Sequence, residues 1–289
     1  MTTSPSEHDG RFAPSPTGDL HVGNLRTALL AWLFARSAGG RFTVRMEDLD
    51  RGRVREGSAE RQLADLRAIG LDWDGEVVSQ STRDQAYRDA LKRLDTFECF
   101  CTRADIRAAA SAPHGPLPPY PGLCRSLSRE RVAKLSEERN PALRLRGGVE
   151  ITFEDRLHGS VTRTVDDVVL RRADGAVAYN LAVVVDDAWQ GVREVVRGDD
   201  LLDATAAQVH IARALGLPVP RYAHVPLVRG PDGERLAKRH GAVTLREIDP
   251  GDAVAWMAGS LGLGTARTAA ELLDRFDPDA LPREPTTFG

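Results

Sequence analysis

The apolar positions at the start of the chain predict a strand, a helix and a second strand. Arg11 to Ala13 can close a strand, and the loop that follows is punctuated by two prolines and a glycine. From 22 to 37, apolar residues recur at helical spacing, and a glycine pair at 39 and 40 ends the helix. Residues 41–46 predict the second strand. Such a unit implies parallel strands joined by a right-handed crossover.

The pattern beyond this unit predicts more α/β structure, interrupted by an insertion. Residues 71–74 predict a turn rather than a third strand, and the pattern of a parallel sheet resumes at 168. Helices are expected at 56–69, 83–94, 202–215, 252–261 and 268–276. Strands are expected at 142–146, 149–153, 159–163, 168–171 and 221–228, and the apolar run at 182–185 is interpreted as a further, buried strand.

Composition and charge narrow the class of protein. The 289 residues carry 39 basic and 42 acidic side chains, so the net charge of −3 gives no general basic field, although a local basic patch could still bind nucleic acid. Three cysteines argue against a disulfide framework and fit a reducing compartment. The first nine residues lack the features of a signal peptide, and no window approaches 18 apolar residues. We therefore expect a cytoplasmic protein without membrane association.

His21 is the first candidate for chemistry, because it stands where the first helix is predicted to begin. A helix N-terminus attracts phosphate through its backbone N–H groups and partial positive charge, and Gly23 would let a nucleotide approach closely. Far along the chain, Lys238 lies in a basic segment flanked by glycines, where a cation could meet charge on a departing pyrophosphate. On these residues alone, a simple helix cap and a solvated lysine remain open alternatives.

Standard nucleotide and hydrolase motifs are missing from the sequence. It contains no P-loop, no complete dinucleotide fingerprint, no zinc-protease motif and no nucleophile elbow. A nucleotide would therefore have to be bound by another arrangement of residues.

Carboxylates follow the second predicted strand. Because the carboxyl ends of parallel strands share one edge of a sheet, we expect Glu47 to lie near the loop that follows the first strand. For Glu47, Asp48 and Asp50, the alternative is a solvated loop acid or a helix cap.

All three cysteines fall within the insertion, which is rich in proline and glycine. Cys99, Cys101 and Cys124 could supply three thiolates to a tetrahedral site, the form typical of structural zinc. The alternative is three buried thiols in an apolar core.

Together, the segments at 21–24 and 235–239 resemble H-I-G-H and K-M-S-K-S, the two signatures of class I aminoacyl-tRNA synthetases. Four other segments look like the catalytic core of glutamyl-tRNA synthetases, and the matches run from residue 11 to about 247. These segments are Arg11-Phe-Ala-Pro-Ser-Pro-Thr-Gly, Arg45-Met-Glu-Asp-Leu-Asp50, Tyr179-Asn-Leu-Ala-Val-Val-Val-Asp-Asp187 and Val195-Val-Arg-Gly-Asp-Asp-Leu-Leu202. Asn24, Arg235 and Ala237 depart from the signatures, at the last His, the first Lys and the Ser.

The resemblance implies roles for the matched residues. Glutamate would be bound by Arg11, Phe12, Ala13, Pro14, Ser15, Glu47, Tyr179 and Arg197. ATP, with Mg²⁺, would be bound by His21, Gly23, Asn24, Arg235, Leu236, Ala237, Lys238 and Arg239, and His21 and Lys238 would be catalytic. One structural Zn²⁺ would be held by Cys99, Cys101, Tyr120 and Cys124, a cluster that resembles the site of glutamyl-Q tRNA(Asp) synthetases, the short relatives that glutamylate queuosine.

The expected fold class is therefore α/β, a Rossmann-like parallel-sheet class I synthetase catalytic domain with an inserted zinc-bearing subdomain and a short helical C-terminal stub. Residues 1–96 and 166–247 would form the two halves of the catalytic domain, the second of which contains the basic ATP loop. Residues 97–165 would form the insertion, and 248–289 the stub, with no anticodon-binding domain.

The expected function follows from the same resemblance. A monomer would activate glutamate with ATP without needing tRNA, and would transfer the glutamyl group to the queuosine at the wobble position of tRNA(Asp). The alternatives are a truncated glutamyl-tRNA synthetase that charges a tRNA 3′ end and a non-catalytic tRNA-binding paralogue, which Asn24 and Ala237 suggest. A nucleotidyltransferase acting on a small molecule explains fewer of the motifs.

Overall fold

A computed structural model of the chain describes residues 6–109, 120–234, 236 and 243–288. The helices are α1 (Val22–Ser37), α2 (Ser58–Ala68), α3 (Asp84–Lys92), α4 (Arg103–Ala109), α5 (Arg129–Glu138), α6 (Tyr179–Gln190), α7 (Leu202–Leu215), α8 (Pro250–Ser260) and α9 (Ala270–Leu273). The strands are β1 (Gly10–Phe12), β2 (Phe42–Met46), β3 (Val78–Ser79), β4 (Thr96–Cys99), β5 (Ala142–Leu145), β6 (Val149–Asp155), β7 (Gly159–Val165), β8 (Val168–Arg171), β9 (Glu194–Gly198), β10 (Arg221–Val225), β11 (Val228–Arg229) and β12 (Thr286–Thr287).

The first three strands form a parallel sheet. β1 pairs with β2, with Arg11 opposite Thr43, and β2 pairs on its other side with β3. The predicted strand–helix–strand unit is thus confirmed, and α1 has the predicted bounds. Residues 71–74 form no strand, as expected, but β3 soon follows them and was not predicted. Its two residues are too few to show the alternation by which a strand is recognised.

β9 connects the second half of the chain to this sheet. The backbone oxygen of Asp9, just before β1, accepts hydrogen bonds from the N–H groups of Arg193 and Glu194 at 2.8 and 3.1 Å. β10 lies between β9 and β6 and runs parallel to both, and β7 pairs antiparallel with β6 at the outer edge. The result is mixed α/β structure in which parallel strands from both halves of the chain lie side by side.

The run at 182–185 is helical, which corrects the predicted buried strand. It lies inside α6, where Leu181, Ala182 and Val183 are buried. α6 contacts α3, α7 and β8, so its apolar residues are not confined to one stripe. A short β-branched run buried on several sides cannot be told from a buried strand by its periodicity.

The strands predicted at 142–146, 149–153, 159–163 and 168–171 are all present as β5 to β8, with small shifts of their ends. However, β8 does not resume a parallel sheet: it pairs antiparallel with β5, which pairs antiparallel with β4. The predicted strand at 221–228 is present as β10 and β11. The division of the chain into domains stays a prediction.

The main apolar core surrounds α1, which explains why that helix is buried on most sides. Leu25, Leu29 and Leu33 are inaccessible to solvent, and α8 and α9 pack against them through residues such as Met257 and Leu272. A second core lies between α6, α7 and the β6–β10 strands. Among the described residues, no helix combines the length and apolar composition needed to cross a membrane.

Candidate active site

The start of α1 is closed by a reciprocal pair of hydrogen bonds. The Nδ1 atom of His21 accepts from the backbone N–H of Asn24, and the Oδ1 atom of Asn24 accepts from the backbone N–H of His21, both at 3.3 Å. This capping box satisfies two of the N–H groups that every helix start leaves without intrahelical partners. Because Nδ1 accepts, the neutral imidazole carries its proton on Nε2. The local fold therefore fixes which nitrogen of His21 can donate.

Gly23 packs tightly against this imidazole. A Cβ at position 23 would lie 3.1 Å from two ring atoms of His21 and 3.2 Å from the Cβ of Val228. Those distances are too short for comfortable van der Waals contact, so any side chain would push the ring or the β11 strand aside. A side chain at position 23 would thus require the His21 ring or Val228 to shift by a few tenths of an ångström.

Lys238 lies outside the described residues, as do Arg235, Ala237 and Arg239. The described residues on either side of 237–242 both reach the start of α1. Leu236 is buried in a small cluster with Val22 and Val228, and the N–H of Val22 donates to the Val243 oxygen at 2.9 Å. Thr244 forms a β-bridge with His21. Both flanks of the predicted basic loop are therefore anchored at the helix start.

A cavity of about 610 Å³, here called the loop cavity, opens beside this helix start. It brings together most of the residues that the resemblance assigned to glutamate and ATP. The predicted residues in its lining are Phe12, Ala13, Pro14, Ser15, His21, Gly23, Asn24, Glu47, Tyr179 and Arg197. Arg11 does not line it; its side chain is buried behind the wall.

Arg11 and Glu47 belong to one buried ionic network. The Asp187 Oδ1 atom accepts from Arg45 Nη1 at 2.7 Å and from Arg11 Nε at 3.4 Å. Arg45, which is fully buried, also donates to Glu47 Oε1 at 3.3 Å. A second carboxylate, Asp186, accepts from Arg83 at 2.6 Å. The network holds Glu47 at the cavity wall, because buried charges persist only when paired.

The charges of this network shift one another's titration. Burial raises the pKa of Glu47, against the opposing effect of Arg45 and Arg11. Burial also opposes the ionisation of Asp187, but Arg45 and Arg11 outweigh it and lower the pKa of that carboxyl group. Asp187 therefore holds the arginines in place as a carboxylate.

Arg197 is held by three side chains and keeps one donor unused. Its Nε donates to His224 Nε2 at 3.1 Å, and its Nη2 donates to Thr205 Oγ1 and Gln208 Oε1, each at 2.8 Å. The Nη1 atom is buried and has no hydrogen-bond partner among the residues that the structure describes. An unpaired buried guanidinium nitrogen is costly, so Nη1 is available for an acceptor brought by a ligand of the loop cavity.

The loop at 13–18 is fixed by backbone oxygens. The Glu47 N–H donates to the Pro14 oxygen at 2.9 Å, and the Gln62 side chain donates to the oxygens of Ser15 and Gly18 at 3.1 and 2.7 Å. The expectation that Glu47 shares an edge with this loop is confirmed. Asp48, in contrast, accepts from the backbone N–H and the hydroxyl of Ser81 and does not line the loop cavity.

A larger cavity of about 750 Å³, here called the side cavity, adjoins the loop cavity. Both are lined by Ser15, Glu47, Arg53 and Tyr179. The far wall of the side cavity is formed by β7, β8 and the residues between them, together with Arg144 of β5. Two spaces thus meet at the Tyr179 side chain, which is 37% exposed.

The three cysteines form a compact cluster with Tyr120. Their Sγ atoms all lie within 4.8 Å of one another, with Cys101 and Cys124 at 3.5 Å. The Tyr120 Oη atom lies 3.4 Å from the Cys99 sulfur and 4.0 Å from that of Cys101. A tetrahedral zinc ion with bonds of about 2.3 Å needs sulfur atoms about 3.8 Å apart, so the donor set fits such a site.

Without a cation, burial and the closeness of the sulfurs oppose a full set of thiolates in this cluster. Burial raises the pKa of Cys101 to about 12, and the neighbouring sulfurs of Cys124 and Cys99 add to that effect. Burial also opposes the ionisation of Cys99, but a hydrogen bond with Tyr120 and the nearby Arg144 lower its pKa. Zinc binds thiolates, so its binding would release the protons of this cluster.

Several residues that shape the site were missed by the analysis of the sequence. They are Arg45, Thr205, Gln208, His224 and Asp155. The available signal was a charged or polar residue inside an apolar strand, as for Arg45 in β2 and His224 in β10. Most of their contacts could not be identified from the sequence, since they depend on how separate elements pack, as for Arg45 with Asp187 and His224 with Asp155.

Comparison with known proteins agrees with the motifs. Residues 9–254 match the family model described as tRNA synthetases class I (E and Q), catalytic domain. A protein of Nocardia farcinica named glutamyl-Q tRNA(Asp) synthetase is 60% identical over 96% of this chain and 91% of its own length. A protein of the same name from Symbiobacterium thermophilum is 49% identical over 96% of this chain and 94% of its own length.

Solved structures agree at the level of the fold and the catalytic core. The glutamate–tRNA synthetase of Elizabethkingia anophelis superposes with a TM-score of 0.84 at 28% identity, covering 96% of this chain and 67% of that one. The glutamate tRNA ligase of Elizabethkingia meningosepticum, in complex with its amino acid, gives 0.83 at 28% identity, covering 98% and 67%. The resemblance to glutamyl-Q tRNA(Asp) synthetases is thereby confirmed, and the chain belongs to the class I (E and Q) tRNA synthetases through their catalytic domain.

Proposed function

We propose that the protein activates glutamate with ATP and transfers the glutamyl group to the queuosine of tRNA(Asp). In the first step, an oxygen of the glutamate α-carboxylate attacks the α-phosphorus of ATP, and the bond to pyrophosphate breaks. In the second, a hydroxyl oxygen of the queuosine cyclopentenediol attacks the acyl carbon, and AMP leaves as the hydroxyl loses its proton. The substrates supply both nucleophiles and leaving groups, so the protein needs only to position and stabilise them.

One observation supports this function above all others: a single cavity is lined both by the start of α1 and by Arg197, Glu47 and Tyr179. A helix start is suited to phosphate, and the other three residues are suited to an amino-acid dicarboxylate. Adenylation requires these two ligands to meet, which a shared cavity allows.

At the amino-acid end, Arg197 Nη1 is the proposed partner of a glutamate carboxylate, because it is buried and no described residue supplies it with an acceptor. The Glu47 carboxylate is the proposed partner of the ammonium group, and the Tyr179 hydroxyl and the 12–15 loop complete the pocket. Arg11 contributes from behind the wall, by fixing Asp187 and by the charge that it presents towards Glu47.

At the nucleotide end, His21 and Gly23 are the proposed contacts of the phosphates and of adenosine, with Asn24 holding the helix start closed. The proton on His21 Nε2 makes the imidazole a donor there, as an anionic phosphate requires. Lys238 is the proposed cation for pyrophosphate, with Arg235, Leu236, Ala237 and Arg239 as its neighbours on the loop. The anchoring of Leu236 and Val243 at α1 supports this assignment. ATP enters such synthetases with Mg²⁺.

The side cavity is the proposed binding space of the acceptor, which would approach Tyr179 from the side opposite to the loop cavity. Its volume of about 750 Å³ can hold a nucleoside, and it shares Glu47 and Tyr179 with the loop cavity. The names of the relatives point to queuosine rather than to a tRNA 3′ end. A protein that modifies tRNA would act in the cytoplasm.

A structural zinc ion is proposed for Cys99, Cys101, Cys124 and Tyr120. When bound, it would cross-link β4 to the segment that contains Cys124. Arg144, which stacks over the Tyr120 ring at 4.0 Å, also lines the side cavity, so the cluster supports one wall of that cavity.

Two assays in sequence test the proposal. Glutamate-dependent exchange of pyrophosphate into ATP, without tRNA, is expected, and glutamate transfer is expected only to tRNA(Asp) that carries queuosine. Nuclease digestion of the product should locate the glutamate in the anticodon loop. Glutamylation of queuosine-free tRNA at its 3′ end would instead show a truncated glutamyl-tRNA synthetase, and no exchange at saturating substrates would show a non-catalytic module.

A further inference from the structure

His224 of β10 is a buried histidine that the reaction does not use directly. Its side chain has no solvent-accessible surface, and its two ring nitrogens have different partners. Nδ1 lies 2.6 Å from Asp155 Oδ2, and Nε2 lies 3.1 Å from Arg197 Nε and 3.0 Å from Thr205 Oγ1. The imidazole therefore connects a carboxylate on β6 with the guanidinium that lines the loop cavity.

The hydrogen-bond directions fix the state of this histidine. The Nε atom of an arginine can only donate, so His224 Nε2 accepts and carries no proton. Its proton then lies on Nδ1 and is donated to Asp155. The neutral imidazole with the proton on Nδ1 satisfies both Asp155 and Arg197, and its unprotonated Nε2 can also accept from the Thr205 hydroxyl.

Asp155 is in turn held at the end of β6 by backbone donors. Its Oδ1 atom accepts from the N–H groups of Leu157 and His158, each at 3.0 Å, and its Oδ2 atom accepts from the His224 N–H at 3.1 Å. A carboxylate with all of these donors has no freedom to rotate. It also requires an N–H, not a lone pair, from the His224 ring.

We propose that Asp155 and His224 are positioning residues that aim Arg197 at the carboxylate of glutamate. His224 occupies Nε, and Thr205 and Gln208 occupy Nη2, so that Nη1 is the guanidinium nitrogen that no described residue engages and that can meet the ligand. The inference rests on the proposed function, since it requires Arg197 to bind glutamate. It adds that a pair of residues, Asp155 on β6 and His224 on β10, determines how well this guanidinium is aligned.

The hydrogen-bonded pair of Asp155 and His224 predicts that glutamate binding depends on pH. Asp155, Arg197 and His158 are the charged or titratable groups that act on His224, with the Tyr222 ring stacked beside it. Burial lowers the pKa of His224, as does Arg197, while the hydrogen bond with Asp155 opposes them. The ring is thus neutral at neutral pH. Protonation in acid would place an N–H against the Arg197 Nε–H and beside its positive charge, and would release the guanidinium.

Two substitutions at position 224 separate alignment from packing. In His224→Gln, the amide oxygen can lie where Nε2 lies and can still accept from Arg197. In His224→Asn, the shorter amide can reach only Asp155 and leaves Arg197 Nε without its acceptor. Asp155→Asn offers an NH₂ group to His224, which favours the opposite tautomer and removes the same acceptor.

The test is pyrophosphate exchange by the full-length protein, with KM for glutamate, KM for ATP and kcat measured from pH 5.5 to 8. His224→Asn and Asp155→Asn should raise KM for glutamate about tenfold or more, the usual effect of losing a hydrogen bond to a charged group, with KM for ATP changed far less. His224→Gln should recover most of the loss and should abolish the rise of KM for glutamate in acid. His210→Asn, on the surface of α7, is the matched control.

Three outcomes are decisive. An equal rise of both KM values in all variants would show a structural role only and overturn the inference, as would glutamate KM values that stay unchanged. Thermal unfolding of each variant shows whether it has kept its fold. If His224→Asn and Asp155→Asn are unfolded, the dependence of the glutamate KM on pH in His224→Gln decides whether the inference holds. Absence of exchange in the unaltered protein would overturn the proposed function and, with it, the inference.

Discussion

At the scale of single residues, Asn24 shows how a departure from a motif can have its own physical reason. It stands where the class I signature has its last histidine, and its side chain closes the capping box with His21. The oxygen of the short side-chain amide accepts from the His21 backbone N–H, while the backbone N–H of Asn24 donates to the imidazole. With Asn24 in place of the last histidine of the signature, the site lacks one imidazole that could contact a ligand, but His21 is held more firmly.

Removing the Asn24 side chain should therefore loosen the helix start. Asn24→Ala is expected to cost about 1 kcal/mol of stability, the usual cost of losing a cap. For a chain of this size, that corresponds to a fall in Tm of roughly 2–4 °C. Asn24→Gln is the matched control, because glutamine is a common capping-box partner at this position. Equal Tm values for all three proteins, by differential scanning calorimetry, would show that the box contributes nothing.

Lys238 carries the clearest prediction for catalysis. Lys238→Ala should slow pyrophosphate exchange by about 10²-fold or more, as is usual when a group that stabilises developing charge is removed. Glutamate binding, measured by calorimetry, should not change. Lys92→Ala, on the exposed face of α3, is the control. An exchange rate close to that of the unaltered protein would exclude the proposed role.

Much of the candidate site could be predicted at this scale. The reason is that each motif is a short, continuous stretch of chain whose residues line the cavity together. His21, Glu47 and Arg197 were identified in this way, and they line one cavity. Their partners could not be predicted. Nothing in the sequence around His224 indicates that its ring meets Arg197, since that contact depends on how β9, β10 and α7 pack.

At the scale of elements, the cysteine cluster joins β4 to the chain around Cys124 and to β5 through Arg144. The cysteines were informative because all three fall within one insertion, and their Sγ atoms lie within 4.8 Å of one another in the structure. The strand predicted at 182–185 failed for the opposite reason, since apolar β-branched residues suit both a buried strand and a helix with neighbours on several sides. The pairing of β8 with β5 also depends on the tertiary structure.

Metal analysis tests the cluster directly. The purified protein should contain about one zinc ion per chain by mass spectrometry, and Cys124→Ser should lose it. Tyr120→Phe keeps the ring beneath Arg144 but removes the phenol, and it should weaken zinc retention against a chelator. Full retention in Tyr120→Phe would show that the phenolate is not a ligand, and a metal-free unaltered protein would contradict the whole assignment.

At the scale of the whole molecule, the network of Arg11, Arg45 and Asp187 connects β1 and β2 with α6. The hydrogen bonds join residues 176 and 142 positions apart in the chain. Because these charges are buried, an unpaired one would cost much free energy. Asp187 and the two arginines stay ionised because they carry opposite charges and lie close together.

The stability of the protein should therefore depend on pH through Asp187. Its pKa is lowered from the ordinary value of 3.8, so its contribution is present above that value and is lost as the pH falls through the lower, folded-state value. Asp187→Asn should cost about 3–5 kcal/mol at pH 7, because two arginines lose their carboxylate, and should flatten the decline in acid.

Urea unfolding at pH 7 measures the loss of the ion pairs in Asp187→Asn, and unfolding at pH 4, 3 and 2 follows the decline in acid, which lies below the ordinary value of 3.8. Asp95→Asn is the control, since its carboxylate is exposed and pairs with Arg146 only at the surface. Parallel pH profiles for Asp187→Asn and the unaltered protein would contradict the assignment of the acid decline to this carboxylate.

The bridge between His21 and Thr244 has a consequence for synthesis of the protein. A growing chain on the ribosome emerges with its first strand–helix–strand unit long before residue 244 has been translated. Until then, the helix start lacks the Val243 oxygen that receives the Val22 N–H, and Arg45 lacks Asp187. The nascent half-site is thus unable to bind its ligands in their final geometry. Translation of almost the whole catalytic domain is required before a nucleotide can stabilise the new chain.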